Sequence, residues 1–367
     1  MTALPIPTTD KCQTLADALH LPAAAIQLDS NSQCANLPFN AVGDRHGEPA
    51  FAALEVARKP WQGSCHDNSL EAYIHDQSSA LVSRFFRRVV LENPAAMQQC
   101  HERPVLYLAN HQTGIESLLF MLISHWLTGT PVCALAKDKH SDSFYGTILA
   151  ISRLGRFPVT PVELVFASRE NAGEMLATFG QLQHLLASGQ RSVLIHVEGT
   201  RALQAGQPVQ KFSAINLDLA EKAGAMIVPV RFTGGLPLQA STEKQEFPWQ
   251  FGQQDCYIGS PIAPQDLRPL LLKDRIAAVC ERINRLGPPP GCEQPLNADP
   301  GYLARAEDYA RRHQLALIPA VFAIELAGYR PLSKASRELL DCLQDGRQQF
   351  SDPRMLQVAS RLFGKNG

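Results

Sequence analysis

The sequence predicts an α/β fold, a mainly parallel twisted sheet covered by helices, on three observations. Short apolar runs alternate with longer helix-like patterns between residues 81 and 290. The runs are apolar on successive residues rather than on alternate ones, as suits strands buried on both faces between layers of helices. At 367 residues and 45% hydrophobic, the chain also has the material for a large core.

Each element follows in order. Residues 1–80 mix short helix-like pieces with turn-rich stretches such as LDSNSQCANLPFNAVGDRHGEP and read as an N-terminal extension without a catalytic pattern. LVSRFFRRVV (81–90) reads as one amphipathic helix, and its SRFFRR segment either packs its aromatic face with the cations in water or touches a membrane surface. Strands are expected at VLYLA (105–109), VCALA (132–136), SVLIHV (192–197) and MIVPVRF (226–232), with CYIGSPI (256–262) closing the sheet. The α/β domain therefore spans 81–290. LGPPPGCEQP (286–295) reads as a linker, and residues 291–367 as a linker and helical C-terminal segment.

Composition narrows the partners. Lys plus Arg at 34 against Asp plus Glu at 35 gives a formal charge of -1, so no global field recruits nucleic acid, and any anionic partner must meet a local patch. Nine cysteines are scattered without CxxC pairs, as expected of reduced thiols in a cytoplasmic protein. The start, MTALPIPTTDKCQ, lacks the basic and apolar regions of a secretory signal. The most apolar window, 118–136, is interrupted by Ser124, His125, Gly129 and Pro131 and falls short of the ~20 apolar residues of a bilayer span. The expectation is a protein that is soluble or peripheral to a membrane.

Two constellations carry chemistry. In YLANHQTGIES (107–117) a strand-like run stops at Asn110 and His111, and Glu116 follows five positions later. On one regular helix that spacing puts the two side chains on different faces, so His111 must sit in the loop for Glu116, in the first helical turn, to reach back to it. A carboxylate on Nδ1 fixes the tautomer and leaves Nε2 free to take a proton, which would make the pair a general base. The alternative is a loop histidine that caps a helix. The second constellation is SVLIHVEGTRALQAGQPVQKF (192–212), where Glu198, Gly199, Thr200 and Arg201 share one strand-end loop and Lys211 lies a short loop further on. Glycine permits close backbone approach to a ligand, and arginine offers a fork for phosphate or carboxylate oxygens. The alternative is a turn with a surface ion pair. HExxH, paired CxxC and GxSxG patterns are absent from the sequence.

The ordered set NHQTGIE (110–116), ALAKD (134–138), RLGRFPV (153–159), HVEGTR (196–201) with VQKF (209–212), IVPVRF (227–232) and YIGSPI (257–262) resembles the glycerol-phosphate and lysophospholipid acyltransferase family over roughly residues 95–290. There are departures. Glu116 stands where the family has aspartate, the second block keeps only Arg153 and Arg156, and Val197 replaces the proline before the glutamate of the third block.

The resemblance implies that His111, oriented by Glu116, deprotonates an acceptor hydroxyl, which then attacks an acyl thioester. Backbone N–H groups near Gly199 would bind the oxyanion. Glu198 and Arg201 would organise the acceptor, with Arg201 gripping an anion, Thr200 adding a hydrogen bond, and Arg156 and Lys211 assisting. Lys137 and Lys139 would bind the phosphates of coenzyme A or the arm of an acyl carrier protein, unless they are simply solvated. Neither a metal nor a cofactor beyond the acyl-CoA or acyl-carrier co-substrate is expected. His125 and His196, each inside an apolar run, are expected to be packing residues. The leading expectation is transfer of a fatty acyl group to a glycerol-phosphate or lysophospholipid hydroxyl. One alternative keeps the chemistry with a non-phosphate, lipid-like or polyketide-like acceptor. The other is an acyl- or lipid-binding protein without catalysis.

Overall fold

The computed structural model describes residues 27–28, 35–37, 67–92, 100, 103–141, 143–157, 160, 162–168, 171–210, 212–289 and 292–364. Among the described residues, nine strands form one sheet: β1 (Gln27–Leu28), β2 (Ala35–Leu37), β3 (Phe86–Leu91), β4 (Val105–Ala109), β5 (Val132–Lys137), β6 (Val162–Ala167), β7 (Ser192–His196), β8 (Met226–Gly234) and β9 (Gln254–Ile258). Their order across the sheet is β1-β2-β3-β9-β8-β4-β7-β5-β6. The run from β8 to β6 is parallel throughout, whereas β9 pairs antiparallel with β8 and parallel with β3.

The helices are α1 (Leu70–Phe85), α2 (Glu116–Thr128), α3 (Phe144–Leu154), α4 (Ala172–Ala187), α5 (Ile215–Ala223), α6 (Pro264–Leu267), α7 (Leu272–Arg285), α8 (Tyr302–His313), α9 (Leu317–Gly328), α10 (Lys334–Asp345) and α11 (Arg354–Phe363). Alternation along the central strands divides them between two cores. Tyr107, Leu194 and Val228 enter one with Ile115, Leu119 and Ile123 at and along α2, and with Val321 and Phe322 from α9. Leu106, Leu108, Val193 and Ile195 enter the other with Leu182 of α4, Leu217 of α5 and Val279 of α7. Central strands buried on both faces are what the continuous apolar runs predicted.

Three readings need correction. LVSRFFRRVV is not one helix, because α1 ends at Phe85 and β3 begins at Phe86, whose backbone is extended (φ -110, ψ 132). From Phe86 onward the sequence favours a strand: β-branched Val89 and Val90 pair in parallel with Cys256 and Tyr257, and Arg87 forks onto the buried Asp255 at 2.9 and 2.6 Å. The strand β6 was not foreseen, because VELVFA carries Glu163 and lies at the sheet edge, where one flank is not covered by a neighbour. The segment around 286–295 is more than a tether: its Glu293 is buried and accepts from Arg231 Nη2 at 2.9 Å, while Arg231 Nη1 donates to the Leu286 carbonyl at 3.0 Å.

The C-terminal helices pack onto the domain that precedes them. Leu339 and Leu343 of α10 and Met355 and Val358 of α11 share a core with Leu70, Tyr73 and Ile74 of α1 and Ile151 of α3. Arg354 clamps the junction, donating to both Glu71 oxygens at 2.6 and 2.9 Å and to the Leu154 carbonyl at 3.0 Å. Truncating it leaves the buried Glu71 carboxylate short of donors. Arg354→Met is therefore expected to lower stability by roughly 3 kcal/mol, read as a fall in the thermal midpoint. An unchanged midpoint would mean that the apolar contacts alone hold these helices.

Candidate active site

The site lies where chain connections diverge. Neighbouring strands β4 and β7 run parallel, but β4 leads into α2 on one face of the sheet and β7 leads through 197–214 into α5 on the other. Their carboxyl ends therefore border a crevice at a topological switch point, where α/β sheets place ligands. His111 occupies the loop after β4, and Glu116 opens α2.

His111 Nδ1 and Glu116 Oε1 are 2.6 Å apart. Glu116 is 0% exposed, and its oxygens also accept from the Gln112 N–H at 2.7 Å, the Thr113 N–H at 3.0 Å and Gln254 Nε2 at 3.0 Å. Four donors around one carboxyl satisfy the ionised form. The imidazole then carries its proton on Nδ1, and Nε2 is the basic nitrogen. Asn110 fixes the start of this loop by exchanging hydrogen bonds with the Phe232 backbone of β8, at 2.9 Å to the carbonyl and 2.7 Å from the N–H.

His196 belongs to the same cluster, contrary to its reading as a packing residue. Its ring stacks on His111 with centroids 3.8 Å apart and planes 15° apart. Its Nδ1 donates to the Asn110 carbonyl at 2.6 Å, so Nε2 accepts from the Ser117 hydroxyl at 2.7 Å. The available signal was strand alternation: His196 is two residues from Leu194, which faces the α2 side. His125 is buried in the last turn of α2.

Burial lowers the pKa of His111 below the ordinary imidazole value, and the Arg201 charge adds to that. His196 is lowered by burial and by His111. Burial raises the Glu116 carboxyl, against the pull of His196 and of the donors from Thr113, Gln254 and Gln112.

The third block lies beside this cluster, knit to it by the Ala202 N–H donating to the His111 carbonyl at 2.7 Å. Gly199 takes φ +61 and donates its N–H to the His196 carbonyl at 2.9 Å, so this N–H is engaged within the turn, and oxyanion donors near Gly199 would be neighbouring backbone groups. Arg201 does not pair with Glu198. It donates to the Gln245 carbonyl at 2.7 Å and pairs with Glu246 at 2.7 Å. Burial is the largest single influence on the Glu246 carboxyl and works to raise it, but the hydrogen bond and charge of Arg201, with the Tyr145 hydrogen bond, together outweigh it and hold the group below its ordinary value.

Residues 244–247, on the segment between β8 and β9, were missed in the sequence because no motif marks them. They sit over the start of α2: the Gln245 and Glu246 carbonyls accept from Gly114 and Ile115, Tyr145 donates to Glu246 at 2.8 Å, and Lys244 donates to Thr200. Phe247, fully buried against Phe85 at 5.2 Å, anchors the segment. A Cβ at Gly114 would lie 2.2 Å from Glu246 Oε2 and 2.3 Å from Tyr145 Oη, so a larger residue there would have to displace the Glu246–Tyr145 hydrogen bond.

The remaining predicted residues fall in different places. His111, Lys137, Gly199, Thr200 and Arg201 line one cleft, with Ser117, His140, Tyr145, His196, Lys244 and Glu246. Leu118, Met121, Ile148, Leu149, Val162, Leu164 and Ile195 add an apolar wall. Glu198 is half-buried outside that lining, and burial raises its pKa. Arg156 is exposed, also outside the lining, and its backbone N–H donates to Glu71 at 2.5 Å. Lys211 and the side chain of Lys139 lie outside the described residues.

His111, Glu116 and His196 offer ligand atoms within 4.8 Å of one another, which raises the question of a metal centre. The stacking argues against it. Lone pairs lie in the imidazole planes, and two planes 15° apart send them nearly parallel rather than converging on one ion. Both Nδ1 atoms are already committed to oxygens.

Comparison with known families gives a match in the same region. A family model described as Acyltransferase matches residues 88–233, from β3 to the end of β8. Over these residues the chain is similar to the acyltransferase family. No curated protein matches it.

The titration of the site gives a test with a definite sign. A base whose pKa is lowered stays neutral as pH falls through the ordinary imidazole value of about 6.5, so kcat/KM is expected to hold its plateau there and to fall only at lower pH. The same shift makes the neutral imidazole stabilising above the unfolded pKa, with that stability lost as pH falls below it. A pH–rate profile checks this; an acid limb centred at or above 6.5 would contradict it.

Proposed function

We propose that this acyltransferase domain moves a fatty acyl group from an acyl thioester, acyl-CoA or an acyl carrier protein, to a hydroxyl of a glycerol-phosphate or lysophospholipid acceptor. The reading rests on one observation above the others: His111 is tied through Nδ1 to a buried carboxylate in a cleft lined by apolar side chains and by the cations Lys137, Arg201 and Lys244. His111 Nε2 takes the acceptor's proton, and the oxygen attacks the thioester carbonyl. The tetrahedral intermediate expels the thiolate, which recovers the proton from the imidazolium. Glu116 holds the ring and offsets the charge it gains. The acyl chain lies along Leu118, Met121 and Leu164, and an acceptor phosphate faces Lys137 and Lys244. Cytoplasmic and peripheral membrane placement fits this reading, since no described helix is long and apolar enough to cross a membrane.

A second reading, a non-phosphate lipid-like or polyketide-like acceptor, is favoured by the use of Arg201. Its fork is engaged by Glu246 and Gln245, and Arg156 lies outside the cleft, so two cations assigned to a phosphate are occupied elsewhere or turned away from it.

An acceptor panel with radiolabelled acyl thioester tests both. Phosphate-bearing acceptors are expected to show the lower KM, and Lys244→Ala to raise that KM while leaving the donor's in place. His111→Ala is expected to reduce turnover by about 10²–10⁴-fold. Equal use of acceptors with and without phosphate would move the assignment to the second reading, and wild-type turnover in a folded His111→Ala protein would remove the mechanism.

A further inference from the structure

Beside the His111–Glu116 pair, the cleft contains a hydroxyl–imidazole pair that the reaction above does not use. Ser117 Oγ and His196 Nε2 are 2.7 Å apart, and both residues line the cleft beside His111 and the apolar wall. The Asn110 carbonyl fixes His196 with its proton on Nδ1, so Nε2 is the nitrogen that faces the serine hydroxyl. A backbone carbonyl sets this tautomer as a carboxylate would, and negative charge is also close: Glu116 Oε1 lies 3.8 Å from His196 Nδ1. Nucleophile, base and orienting group thus stand in the sequence expected of an activated serine. Ser117 also sits in the first turn of α2, where the helix dipole favours developing negative charge.

We propose that Ser117 is an acyl-accepting nucleophile and that transfer proceeds in two steps through an acyl-Ser117 ester. This rests on the acyltransferase reading and replaces its single displacement with two half-reactions. In the first step the Ser117 hydroxyl proton passes to His196 Nε2 and Oγ attacks the thioester carbonyl carbon. The C–S bond breaks, and the thiolate leaves with the proton from His196. The products are a free thiol and an oxyester on Ser117. In the second step the acceptor hydroxyl gives its proton to His111 Nε2 and attacks the ester carbonyl. The C–O bond to Ser117 breaks, and Oγ recovers a proton from the imidazolium. No oxidant, reductant or further reactant is needed. The two stacked imidazoles divide the work, His196 serving the donor half-reaction and His111 the acceptor half-reaction.

The test is made on the full chain with a palmitoyl thioester and no acceptor, quenched in acid and read by intact mass and peptide mapping. A gain of one acyl group less one hydrogen is expected, located on Ser117, in the wild type and in His111→Ala. It should be absent in Ser117→Ala, and thiol release without acceptor should fall there by about 10²-fold or more. The wild type should also exchange labelled free thiol into the thioester without acceptor. If acceptor-dependent transfer proceeds with neither adduct nor exchange, or if the adduct maps to another residue, Ser117 is not the nucleophile and single displacement at His111 stands. If no thioester is turned over with any acceptor, the acyltransferase reading itself falls and this proposal falls with it.

Discussion

A carboxylate cut off from water must receive its hydrogen bonds from the protein, and Glu116 receives them from His111, Gln112, Thr113 and Gln254. Leaving such a group unpaired would cost several kcal/mol, so the loop 110–115 has little freedom. It must curl back over the start of α2 so that two of its amides and its imidazole all face one side chain. The position of β9 follows from the same need, because Gln254, its first residue, must reach the carboxylate and also meet Thr113 and Gln112. One buried negative charge thus links β4, α2 and β9.

The second layer of control is the segment that carries Glu246. Arg201 joins it to the loop after β7, Tyr145 joins it to α3, and the backbone of Gly114 and Ile115 joins it to α2. These contacts set the charge of the cleft near His111: a guanidinium and a lysine are close, and a carboxylate partly balances them. The imidazole is held below its ordinary pKa by burial and by that guanidinium, which suits a base that must be empty before substrate arrives. Apolar residues from α2, α3, β5 and β6 line the same cleft, which lowers the local dielectric in which these charges act.

Much of this was legible in the sequence because its cause is local. Continuous apolar runs gave four of the central strands, and the five-residue spacing of His111 and Glu116 required a loop followed by a helix. What was not legible depends on contacts distant in sequence. Glu246 and Gln254 have no motif, and they reach the site only because β9 returns antiparallel beside β8. His196 looked like a core residue, since an apolar run hides which face each side chain takes until the strand is placed. The break between α1 and β3 turns on pairing with β9, 168 positions away, which outweighs the helical look of SRFFRR.

The central claim is that Glu116 holds His111 as the Nδ1–H tautomer, with Nε2 left as the base. Nitrogen NMR of the histidine-labelled chain near neutral pH measures this directly, with His111 assigned by its absence in His111→Ala. The account predicts a neutral ring protonated on Nδ1, whose proton is shifted far downfield by the short bond to Glu116. A His111 ring protonated on Nε2, or on both nitrogens, at that pH would contradict it.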